Sequence, residues 1–413
     1  MASGTIGEEH VETAKHVHTI ENLPDPDAGL SEEERAAHDK ALLRKLDFRL
    51  IPWLSFLYLI SFLDRTNIGN AKVDGLQEDL NMTDGQYNAS LTIFFVSYSV
   101  FEPLTNVLLK KLRPSIFLPL IMIWWGICMT CMGLVHNYAG LMTARWWLGC
   151  AEAGLFPGVN YYLTAALAGS FGGLLAAGIA QMGGVGGKPG WAWIFILEGL
   201  ATILVGIASY WMVHDFPAEA TFLLSQRPCA CPPPSCAPDK QASAAHEEFQ
   251  TKYFWQSIKD WKTLMFSIIY MGADGSLYAF SLFLPTIIAG LGYKSTTANL
   301  LSVPPYAVAA VVTVVVGYIA DRTQQRGYCN MGVSLFGIVG FAMLLGSASP
   351  NVQYAGTFLG ARILYPGPPN NVEGVYKRGV TLGFVIGWGN INGVVSSNIY
   401  RSRDKPRYFL GHG

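Results

Sequence analysis

Apolar residues along this chain gather into long runs separated by short polar breaks. A helix that crosses the hydrocarbon core of a bilayer needs roughly 20 mostly apolar residues. Runs of that kind fall near 50–71, 86–109, 116–135, 140–163, 165–184 and 191–213, then near 263–291, 298–320, 330–348, 353–369 and 379–399. These eleven candidates divide six and five around a polar segment. The expected organisation is a cytoplasmic tail over 1–49, a six-helix half over 50–213, a central cytoplasmic loop over 214–262 and a truncated second half over 263–413. Ahead of the first run, Ser31-Glu32-Glu33-Glu34 has the spacing of a capping box for a lead-in helix, and a merely solvated charged face fits it equally.

Composition sharpens this pattern into a fold class. The chain is 51% apolar and 14% charged, with 44 glycines among 413 residues, where soluble domains carry about 25% charged residues. An all-α integral membrane protein is expected. A net charge of -1 offers no electrostatic footprint for nucleic acid. The seven cysteines are scattered and imply no disulfide framework. Residues 1–49 are polar and acidic, so no secretory signal is read there.

Charge placement sets the orientation. Arg44, Lys45 and Arg49 precede the first run, Lys110, Lys111 and Arg113 follow the second, and Asp321, Arg322 and Arg326 follow the eighth. Asp74, Glu78, Asp79 and Asp84 dominate the first connection, so the positive-inside rule puts the N-terminus in the cytoplasm. Asn81-Met82-Thr83 is then an outside sequon. With eleven spans, Arg401, Arg403, Lys405 and Arg407 fall on the wrong side, so either the tenth run fails to span or a twelfth helix is expected.

Three stretches fit poorly. No charge lies between Glu152 and Lys188, although two helices and a turn must fit there. The insert "RPCACPPPSCAPDK" has no histidine close by and no zinc spacing, so it reads as disordered or wrongly translated. Pro366, Pro368 and Pro369 crowd the tenth run.

Motifs carry a resemblance. Gly317, Asp321, Arg322 and Arg326 in "GYIADRTQQRG" resemble the conserved cytoplasmic loop motif of the major facilitator superfamily, whose other copy is degenerate here in "NVLLKKLRPS". The stretches "LDRTNIGNAK", "FEPLTN", "ARWWLGCAEAGLFPG", "WAWIFILEG", "FLPTII" and "IYRSRDKPRYFLGH" are similar to the fungal allantoate and nicotinate permeases of its anion:cation symporter branch. The resemblance spans residues 35–413 apart from gaps. It implies two six-helix halves and a monomeric secondary transporter of the plasma membrane. It also implies uptake of a small organic anion, a monocarboxylate such as nicotinate or allantoate, with a proton as coupling ion and no other cofactor. Members of that group also have a charged loop before the fifth helix, a fuller tenth helix and a twelfth. The alternative expectation is therefore a non-transporting membrane sensor or the inactive product of a defective gene. No phosphate-binding loop supports a primary pump, and no nucleophile–histidine pair or metal cluster supports an enzyme.

Ionisable residues at bilayer depth are costly and are functional candidates by default. At ~1.5 Å per residue, Arg65 lies about 22 Å beyond Leu50, and Arg145 about 10 Å in from Tyr138 at the opposite surface, which gives them similar heights. Glu152 follows Arg145 by close to two turns and shares its helix face. Arg65 and Arg145 are candidates to hold a carboxylate, because guanidinium offers planar paired donors. Asn390 is a candidate neutral substrate contact or a residue that bonds across helices where small residues allow close approach, and Asp64 and Glu152 are candidates to take up protons. The resemblance implies the same roles for the four charged residues, and a gating role for the Gly317, Asp321, Arg322, Arg326 motif. An Asp64–Arg65 structural or interfacial pair is the competing reading. Glu102 and Glu198 read as structural groups near helix ends. Trp124, Trp125, Trp146 and Trp147 read as interface and packing aromatics. None of the eight histidines lies centrally in a run.

Overall fold

The computed structural model describes residues 31–112, 114–155, 161–213, 259–323, 325–347, 349–361 and 375–400, with 408 and 411. The Cys/Pro-rich insert, the prolines of the tenth run and the basic tail lie outside the described residues. The chain parts into two compact units, Met1–Arg49 with His214–Ala242, and Leu50–Val213 with Ser243–Gly413.

Among the described residues, eleven helices exceed two turns, one for each apolar run. The first half holds α1 Glu32–Val73, α2 Asp84–Lys111, α3 Pro114–Met132, α4 Tyr138–Glu152, α5 Tyr161–Ile179 and α6 Gly190–Met212. The second holds α7 Trp261–Gly290, α8 Ser295–Thr323, α9 Arg326–Gly346, α10 Pro350–Gly360 and α11 Val375–Ile399.

Local chemistry fixes the helix starts. The capping box at Ser31 forms, with the Glu34 amide donating to Ser31 Oγ (3.3 Å) and the Ser31 amide to Glu34 Oε2 (3.0 Å). Two donors that a helix start leaves open are thereby satisfied. The Ser31 amide, and then its hydroxyl, hold the Glu34 carboxyl below its ordinary range. The lead-in segment and first span are one helix that continues through Pro52. Thr83 repeats the device at α2: its Oγ1 accepts the Gln86 amide (3.3 Å) and its own amide donates to Gln86 Oε1 (2.9 Å). Asn137 caps α4 through the Gly140 amide at 2.8 Å.

The fourth boundary differs from the sequence expectation. Helix α4 stops at Glu152 after 15 residues, and residues 161–163 belong to α5. Turn bonds from Gly154 to Ala151 (3.4 Å) and from Leu155 to Glu152 (3.1 Å) close it. The sequence then reaches Pro157, a residue type that disfavours helix continuation because it has no amide to donate and its ring crowds the preceding turn.

Helix α2 packs on α11, and α5 on α8, so both pairs join the halves. Close approach depends on missing side chains: a Cβ on Gly173 would strike the Asn299 carbonyl and Ser302, and one on Gly69 the Leu282 carbonyl. Asn398 Nδ2 donates to Thr92 Oγ1 at 2.9 Å across the α2–α11 seam. Five described helices, α3 and α6 to α9, are long and apolar enough to cross a membrane by composition. Those that fall short include α1, α2, α4 and α11, and these carry the buried charges and amides that build the site.

Candidate functional site

Five helices of the first half, α1 to α4 and α6, and two of the second, α7 and α11, contribute buried polar groups to one interior array. Asp64, Arg65, Arg145 and Glu152 are each exposed by 3% or less. Arg65 Nη2 pairs with Glu152 Oε1 at 3.2 Å, and Ser61 Oγ donates to the same carboxylate oxygen. Arg65 Nη1 donates to Tyr278 OH (2.7 Å), Tyr278 OH donates to Asn390 Oδ1 (2.8 Å), and Asn390 Nδ2 donates to Glu102 Oε2 (3.3 Å). This chain leaves the first half at Arg65, passes through α7 and α11, and returns to α2. The Asn390 amide is engaged on both sides.

Aromatic faces complete the surroundings. The Arg65 guanidinium lies 4.9 Å from the Tyr98 ring centre, 5.3 Å from Phe94 and 5.7 Å from Tyr278. Arg145 lies 5.7 Å from the same Phe94 ring. The two arginines therefore flank one aromatic ring. Their bonding differs. Arg65 spends two nitrogens on Glu152 and Tyr278, whereas Arg145 Nε and Nη2 are buried without a hydrogen-bond partner among the described residues.

Asp64 and Arg65 are adjacent in sequence but do not form one pair. Asp64 Oδ2 accepts from Trp125 Nε1 (2.6 Å) and Thr202 Oγ1 (2.9 Å), on α3 and α6. Buried ion pairs rarely add net stability, because desolvating both charges offsets their attraction. The Arg65–Glu152 pair is therefore weak evidence for a stabilising brace.

Several participants escape the sequence reading. Trp125 is fully buried and bonded to Asp64, so it is no interface aromatic, while Trp124 and Trp147 are 42% and 45% exposed. Glu102 and Glu198 are not end groups: both are buried well inside α2 and α6. Tyr278 connects Arg65 to the second half, and its sequence signal is a tyrosine in a glycine-containing helix. Asp274 is also buried, on α7.

The loop motif straddles two helix ends. Gly317, Asp321 and Arg322 lie in α8 and Arg326 begins α9. Arg322 is exposed and its Nη1 donates to Tyr318 OH at 3.1 Å.

The sequence pattern described as Major Facilitator Superfamily matches residues 54–403. The chain belongs to that superfamily. This facilitator is a multi-pass membrane transporter and not an enzyme. It is 34% identical over 402 residues to an uncharacterized transporter of Schizosaccharomyces pombe, covering 90% of this chain and 79% of that one. It is 32% identical over 414 residues to the high-affinity nicotinic acid transporter of Saccharomyces cerevisiae, covering 90% and 74%. Its fold matches the crystal structure of a bacterial homolog to the human lysosomal transporter Spinster with a TM-score of 0.62 at 16% identity, covering 84% and 80%. At that identity the likeness speaks for the facilitator fold alone.

Proposed function

We propose that this facilitator takes up a small organic monocarboxylate together with a proton, by alternating access between its two halves. The observation that supports this reading is Arg145, a buried guanidinium with two unpartnered nitrogens beside an aromatic ring. Such a fork suits the two oxygens of a carboxylate. Arg65 is the second cation, held in reserve by Glu152. Protonating Glu152 removes the counter-charge and frees Arg65 for the anion, so proton and substrate favour each other's binding. Asp64 acts on Arg145 in the same sense, since it lies in the field of that arginine.

Asn390 holds Tyr278 against Arg65 and meets the substrate once that bond opens. The Phe94, Phe95, Tyr98 and Tyr278 rings around the arginines suit a flat ring-bearing acid of the nicotinate kind. The motif around Asp321 and Arg322 serves as a gate at the α8–α9 turn. The segment 214–262 links the halves, and a monomer in the plasma membrane carries out uptake.

The test is labelled nicotinate uptake in yeast cells lacking their own carrier, from acidic to neutral pH. Uptake is expected to saturate and to fall as pH rises. Arg145→Ala at equal surface expression is expected to lower it roughly 10- to 100-fold, the value of charge-assisted hydrogen bonds. Undiminished uptake by that variant would overturn the role given to Arg145.

A further inference from the structure

Behind the arginine site, the first half contains a second polar array that shares only Asp64 with the substrate reading. Asp64, Asn67, Asn70 and Asp74 recur along α1 at intervals of three, three and four residues, which places them on one helix face. Opposite, α6 presents Glu198 and Thr202 one turn apart. The rungs interlock: Thr202 Oγ1 donates to Asp64 Oδ2 at 2.9 Å, Asn67 Nδ2 donates to Glu198 Oε2, and Asn70 Nδ2 donates to Asn67 Oδ1 at 2.6 Å. Every member from Asp64 to Thr202 is at least nine-tenths buried, with Asn67 and Thr202 at 0% exposure and Glu198 at 7%. Asp74 stands apart, against the start of α6 at Gly190.

Glu198 is the unexplained member. Its Oε1 is buried with no hydrogen-bond partner among the described residues. The charged group facing it is Asp64, another acid. Helices α3 and α5, which pack against α6, contain no Asp, Glu, Lys, Arg or His. The α3 thiols Cys128 and Cys131 line a recess against α4 instead. Two buried carboxyls, each bonded from the facing helix and the second with no bonded cation, make a site that favours one added proton. Protonation turns one carboxylate into a neutral carboxyl, which costs far less to bury without a full set of partners.

We propose that Glu198 and Asp64, each held from the facing helix, Glu198 by Asn67 of α1 and Asp64 by Thr202 of α6, form the site that holds the coupling proton. The inference rests on the proton-coupled reading above and moves the acid away from Arg65. Substrate never reaches Glu198. Asp64 is the junction, because it interacts electrostatically with Glu198 and also with Arg145 and Glu152. A proton gained by the pair reduces the negative charge near Arg145 and changes that arginine's availability to the anion.

The test uses the full chain, purified and reconstituted in liposomes, with two readouts. One is nicotinate accumulation driven by a pH gradient, compared with nicotinate counterflow without a gradient. The other is the infrared carboxyl C=O band followed through a pH titration without substrate. A one-proton symporter gains about tenfold in accumulation per unit of pH gradient. Glu198→Gln is expected to lose that tenfold and the titrating band, while counterflow continues at a rate no longer dependent on pH. Gradient-driven accumulation equal to the parent, or an unchanged band, overturns the proposal. If the parent shows the Glu198-dependent band but no gradient-driven uptake, the proton site stands and the symport reading falls. Should Glu198→Gln fail to fold, Glu198→Asp decides: a shifted titration midpoint supports the site, and an unshifted one overturns it.

Discussion

Helices α3 and α9 are each third in their half and almost equally apolar, with mean hydropathy 1.9 over Ser115–Met132 and 1.8 over Gly327–Gly346. Yet 56% of the first stretch is buried and 17% of the second. The difference lies in what each helix meets. A Cβ on Gly126 of α3 would strike the Gly199 carbonyl of α6, and a Cβ on Gly199 the Gly126 carbonyl, so the two backbones touch at reciprocal glycines. Small residues allow such approach between apolar helices, which have no hydrophobic gain to draw them together. On α9, added carbons at Gly327, Gly332 and Gly337 would meet nothing, and contact is made at Gly340 against α10. The uncovered face carries Leu335, Phe336, Ile338 and Val339, all more than half exposed. Beside it lies a groove of about 620 Å³ between α7, α9 and α11, with Gly275, Ser276 and Ser396 on its walls. Hydropathy therefore says that a helix enters a bilayer. It does not say whether lipid or protein will cover it.

The largest expected effect breaks this comparison directly. Gly126→Leu forces α3 away from α6, and overpacking of that kind costs about 1–3 kcal/mol or more. Gly337→Leu on α9 adds the same side chain into open space and is expected to stay within about 0.5 kcal/mol. Thermal unfolding in detergent measures both. Equal losses would mean that α9 is as closely covered as α3.

A second contrast separates the halves at the site. The first half supplies Arg65, Arg145, Asp64 and Glu152, whereas the Arg65 chain meets neutral groups in the second, Tyr278 and Asn390. Charge can thus stay with one half while the other moves, and the neutral contacts are the ones that break. Tyr278→Phe keeps the ring and removes both the acceptor for Arg65 and the donor to Asn390. Uptake is expected to fall about tenfold, the scale of one hydrogen bond to a charged group. A smaller loss in Glu102→Gln than in Tyr278→Phe would fit a chain anchored at its arginine end. Full uptake in Tyr278→Phe would show that the crossing carries no part of the cycle.

Some of these residues were legible in the sequence and others were not, for physical reasons. Spans were legible because hydropathy is a local property, and Arg65 and Arg145 could be placed near one another because helical rise is constant. The end of α4 was not, since Glu152 stands at it as a buried acid within a longer apolar run, into which Gly154 and Pro157 were absorbed. Tyr278 lies 213 positions from Arg65, and Glu198 131 from Asn67, so their bonds depend on packing that no local pattern encodes. Acidity at Glu102 and Glu198 was visible, but their depth was not.

The smallest effect tests the finest distinction, between two neighbours in "WW". A single step along a helix turns the side chain by about 100°. That step takes Trp124, 42% exposed and tilted against Trp147 at 5.8 Å, to Trp125, fully buried and bonded to Asp64. Trp125→Phe keeps most of the apolar area and deletes one donor, so uptake is expected to change a few-fold, about 1 kcal/mol. Trp124→Phe retains a ring at a lipid-facing position and is expected to change uptake and stability by less than about 0.5 kcal/mol. If Trp124→Phe proved the more damaging, α3 would have to be rotated from the placement that brings Trp125 to Asp64. The polar array between α1 and α6 would then lose its third wall.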